Sequence, residues 1–75
     1  MKTYKQMVRS KRELLKELCL VDWKTYYEVS YLLTELAQNT TEIRFGNIIH
    51  STIVLNDTPE EVVQYLTLVN SYTKH

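Results

Sequence analysis

Glycine, proline and cysteine are almost missing from this sequence, which holds one of each in 75 residues. A single glycine excludes the Gly-rich phosphate loops and dinucleotide fingerprints, which need several to let backbone amides approach phosphate. One cysteine cannot form an internal disulfide, and with only two histidines it does not complete a structural zinc set. One proline and one glycine leave no flexible linker. No apolar run approaches the roughly 20 residues that a membrane span needs. No apolar stretch of about 7–15 residues follows the basic start, as a signal peptide would require. The expectation is a cytoplasmic chain without membrane association, with Cys19 as a free thiol in a reducing compartment. The triplets Asn39–Thr41 and Asn56–Thr58 then read as turn and cap chemistry rather than glycosylation sites.

What is present is ordinary for a globular domain. Apolar residues make up 44% of the chain and charged residues 24%, which argues against disorder. The length fits a single domain over residues 1–75 with one thin core and marginal stability. Nine basic residues balance nine acidic ones, but they are unevenly placed. Residues 1–24 carry seven basic and three acidic residues, whereas residues 25–75 carry two and six. Such a split can mark a nucleic-acid or membrane arm, a head-to-tail contact between copies, or simply one helix packing on another.

At 100° per residue, three amphipathic helices emerge. The first, about residues 4–20, gathers Tyr4, Met7, Val8, Leu14, Leu15 and Leu18, with Lys11 snorkelling at the edge. Asp22 reads as the N-cap of a second helix, about 23–38, whose apolar face is Tyr26, Val29, Leu32, Leu33, Leu36 and Ala37. The cluster Gln38-Asn39-Thr40-Thr41 ends it, and the short link makes the two helices an antiparallel hairpin. Residues 42–55 are rich in β-branched side chains and broken once by Gly46-Asn47. That pattern predicts a β-hairpin with a type II′ turn, Ile43–Phe45 pairing with Ile48–His50. Asp57-Thr58, Pro59 and Glu60-Glu61 start a last helix with the apolar face Val62, Tyr65, Leu66, Val69 and Tyr72. The expected fold class is α+β, mainly helical, in the order α-α-β-β-α.

Catalytic groups are poorly placed. His50 and Ser51, as neighbours on a strand, would point to opposite faces. No histidine is positioned to activate Cys19, and Glu13, Glu17, Glu28 and Glu35 read as solvated helix faces. The reading is a non-enzyme with no catalytic residue, no metal and no cofactor.

Three surface features carry more content. Lys5, Arg9, Arg12 and Lys16 fall within about 60° of arc on one helix, a basic stripe able to follow phosphates or an acidic partner. Tyr27 and Tyr31 lie opposite the apolar face of the second helix, beside Thr34 and Gln38, with Trp23 at its boundary. Outward tyrosines in such a pair resemble interface anchors, unless another helix covers them. Finally, Ile49, Ile53 and Leu55 share one face of a strand whose other face is also apolar, which points to a homodimer formed there.

The function expected from these features is a small regulator or inhibitor that occupies a partner protein's surface. One alanine, glycine and proline each, against abundant Tyr, Thr, Leu, Val and Lys, suggests an AT-rich source such as a phage or other mobile element. The alternative is a winged-helix-like DNA-binding transcriptional regulator, with residues 12–20 as the supporting helix, 23–37 as the recognition helix and 42–55 as the wing. Glu28 and Glu35 oppose that alternative, because they repel phosphate where it must be held. A further alternative is a small structural subunit of a larger assembly.

Overall fold

A computed structural model describes residues 4–18 and 22–73, with side chains described from residue 9 onward. Among these residues there are four helices and no strand: α1 (Tyr4–Leu18), α2 (Trp23–Asn39), α3 (Glu42–Leu55) and α4 (Pro59–Thr73). The protein is a small all-helical bundle, so the expected α+β class is wrong. Cys19 and the side chains of Tyr4, Lys5, Met7 and Val8 lie outside the described residues.

The error falls entirely on residues 42–55. Thr41, expected only to help end the preceding helix, is the N-cap of α3, its hydroxyl accepting from the Arg44 amide at 3.2 Å. Glu42 sits in the first turn, where its charge suits the helix dipole. Gly46 has no positive φ, so the II′ turn does not form. As a helix the segment turns Phe45, Ile49 and Thr52 to one side, and all three are buried. β-branched residues lower helix propensity by only a few tenths of a kcal/mol each. Burying a phenylalanine or isoleucine gains about 1.5–3 kcal/mol. Packing therefore wins over local preference. The strand face Ile49, Ile53 and Leu55 does not exist: Ile49 is core, Ile53 half-buried, and Leu55 exposed at the helix end. The dimer expected through that strand loses its basis.

The other helices follow their sequence signals. Val29, Leu33 and Leu36 of α2 are buried, as are Leu14 and Leu18 of α1 and Val62 and Leu66 of α4. Thr58 caps α4 by accepting from the Glu61 amide at 3.3 Å. Tyr72 is the exception on α4, being 72% exposed rather than part of the apolar face.

The closest helix pairs are α2 with α4 and α1 with α3. Ser10 and Glu13 share a groove with Gly46 and Asn47, while Glu17 and Leu18 share another with Asn56 and Asp57. Thus α1 and α3 run in the same sense, and buried Gly46 removes the Cβ that would hold them apart. Val62, early in α4, lies by Leu18, and Asn70 reaches Leu32 in mid-α2, so α4 follows α2 in the same sense. Two antiparallel hairpins are laid one upon the other.

Asn70 is the polar group in the α2–α4 contact. Only 3% exposed, it donates through Nδ2 to the carbonyls of Leu66 at 2.8 Å and Leu32 at 3.1 Å, while its Oδ1 has no partner. An orphaned buried acceptor costs about 1–3 kcal/mol.

Two predictions test this architecture. Asn47→Ala, at an exposed position of α3, removes a weak helix former and should raise Tm by about 2–4 °C. A turn at Gly46-Asn47 requires a fall instead, and thermal melts followed by circular dichroism distinguish the two. Asn70→Leu, which keeps the branched outline of the side chain, removes the orphaned acceptor and should leave stability equal or higher by about 1 kcal/mol. A clear loss in denaturant titration would show that the Leu32 bond outweighs it.

Candidate functional site

The α2 helix begins on a strong cap. Asp22 accepts from the Thr25 amide at 2.7 Å through one carboxylate oxygen and from the Thr25 hydroxyl at 2.8 Å through the other. These bonds stabilise the ionised form and hold the Asp22 carboxyl below its ordinary value of 3.8, with lesser help from Lys24 and against a smaller effect of burial. The cap fixes where the helix starts, and Trp23 is its first residue.

From there an aromatic column runs along the outward side of α2. Trp23 is 70% exposed, Tyr27 67% and Tyr31 63%, so no other helix covers them. The rings are not isolated from one another. Trp23 lies 5.7 Å from Tyr26 edge-on and 6.2 Å from Tyr27, and Tyr26 and Tyr27 meet edge-on at 5.8 Å. Tyr31 donates its hydroxyl to Glu35 Oε1 at 3.0 Å. Thr34 is exposed, but its hydroxyl donates to the Ser30 carbonyl at 2.9 Å and accepts from Lys11 Nζ at 3.2 Å. It thereby ties α1 to α2 at the edge of the column. Half-buried Lys11 snorkels as its sequence position implies.

That bond places the basic stripe relative to the tyrosines. Arg9, Arg12 and Lys16 are exposed on the outward side of α1. Glu13 and Glu17, also exposed, line the two grooves that α1 shares with α3 and the start of α4. On α2, Glu28 and Glu35 fall on the flank away from Lys11, toward Leu32 and α4. The sequence showed the stripe and the column separately; only the packing of α1 on α2 brings them onto one face. Ile49, Ile53 and Leu55 take no part in it.

Sequence reasoning passed over one other grouping. Ser10, Glu13 and His50 line the α1–α3 groove together. His50 is exposed, and among the described residues none hydrogen-bonds to its imidazole to orient it as a base. Among the described residues no group of three or more His, Cys, Asp or Glu could hold a metal, and no helix is long and apolar enough to cross a membrane. Comparison with protein-family models, curated proteins and solved structures finds no match.

The cap yields a pH prediction. Because the Asp22 carboxyl is lowered on folding, its contribution is complete above the ordinary carboxylate value and is lost as pH falls through the lowered folded value. Asp22→Asn keeps a good capping side chain while removing the charge. The variant should melt near wild type at neutral pH and lose less stability than wild type below about pH 4. Parallel melts across that range check it; identical acid limbs would refute the role of the charge.

Proposed function

We propose that this protein is a small non-enzymatic binding module, a regulator or inhibitor that acts by occupying the surface of a partner protein. The observation that carries the reading is the exposed column Trp23–Tyr27–Tyr31 on a helix whose opposite side is fully packed. Exposed helical positions usually hold Lys, Glu or Gln, since a bulky ring in water gains nothing for the fold. Tryptophan and tyrosine are also the residue types that dominate binding hot spots. The winged-helix alternative has no comparable support, because the segment read as its wing is α3, with Phe45 and Ile49 in the core.

The double substitution Tyr27→Ala/Tyr31→Ala separates folding from binding. Exposed substitutions usually shift stability by under about 0.5 kcal/mol each, so the variant should melt within a few degrees of wild type. Used as paired baits in the native host, wild type should retain a partner that the variant loses, with binding weakened by about thirtyfold or more. An unfolded variant, or the same proteins retained by both baits, would contradict the reading.

A further inference from the structure

We propose that the α1–α2 face receives an acidic amphipathic helix of the partner protein. This occupant presupposes that the aromatic column is a docking surface, and the residues beside the column fix its charge. Arg9 and Arg12 are exposed, and neither pairs with a described residue. Lys16 continues their line and is already engaged within the chain. Glu13 and Glu17 line the grooves toward α3 and α4. The α1 side of the column therefore offers two exposed cations, Arg9 and Arg12, that no described residue pairs.

Size and shape fit the same occupant. Trp23 to Tyr31 spans eight residues of helix, about 12 Å, or roughly two turns of a helix lying alongside. Apolar side chains of such a helix would rest on the three rings, and carboxylates on its flank would meet the two arginines. Arginine pairs with carboxylates in bidentate geometry and also stacks on aromatic faces, so both parts of the surface favour this chemistry.

The test uses the full chain and two synthetic helical peptides with the same leucine stripe, one flanked by glutamates and the other by lysines. Trp23 is the only tryptophan in the chain, so its emission reports directly on the face. The acidic peptide should shift that emission and bind about tenfold tighter than the basic one, as two or three exposed ion pairs would give. The difference should shrink at about 1 M salt. Arg9→Glu/Arg12→Glu, checked by its melt to be folded, should reverse the preference, whereas Tyr27→Ala/Tyr31→Ala should weaken both peptides alike. Equal binding of the two peptides would overturn the acidic assignment while leaving a docking surface intact. No response of Trp23 to either peptide would overturn both. An oligothymidylate that binds as tightly as the acidic peptide and quenches Trp23 would reassign the face to single-stranded nucleic acid.

Discussion

The buried stripe Phe45, Ile49 and Thr52 on α3 is the contact on which the remaining structure rests. A chain of this length has little apolar material and much surface, so it cannot leave two apolar faces on one element. A helix turns Phe45 and Ile49 to one side, where they join Leu14, Leu33, Leu36 and Leu66 in a single core, and leaves Ile43, Val54 and Leu55 exposed. Thr52 enters that core without an orphaned hydroxyl because it donates to the Ile48 carbonyl at 2.7 Å. Gly46 completes the arrangement by letting α1 approach.

The outward face follows from this inner packing. With Val29, Leu33 and Leu36 committed to the core, helical geometry leaves Trp23, Tyr27 and Tyr31 no alternative to solvent. The same geometry on α1 directs Leu14 and Leu18 inward and sends Arg9, Arg12 and Lys16 outward. The Lys11–Thr34 bond then aligns the two faces. The composition of the exterior is thus a matter of sequence, but the meeting of rings and guanidinium groups is a matter of packing.

Three of the four helices could be read from periodicity and caps, because Asp22, Thr58 and Pro59 are strong local signals and the apolar spacing is regular. The exposure of the tyrosines was one of two open readings, and the packing of α1 decides it. Residues 42–55 misled because Gly46-Asn47 and the β-branched side chains all favour a hairpin locally. The opposing signals were Thr41-Glu42, which is a cap followed by a first-turn acid, and the spacing of Phe45, Ile49 and Thr52. An apolar surplus on both sides of the presumed strand is itself a warning, since a helix buries Phe45 and Ile49 together and leaves only Ile43, Val54 and Leu55 exposed. Tyr72 shows the reverse failure, a residue in phase with an apolar face whose ring still reaches water.

Helical repeat proteins grow by laying one helix pair on the next, with each pair contacting only its neighbours. The two hairpins here obey that rule, α3 following α1 and α4 following α2 in the same sense. A terminal pair in such a stack normally wears a polar outer coat that stops further growth. On the outer side of α1–α2 such a coat is present in Arg9, Arg12 and Lys16 but is interrupted by a tryptophan and two tyrosines, which stand where the next pair would be laid. In these terms the chain is a two-layer stack, and the proposed partner would lie where a third layer is laid in a longer one.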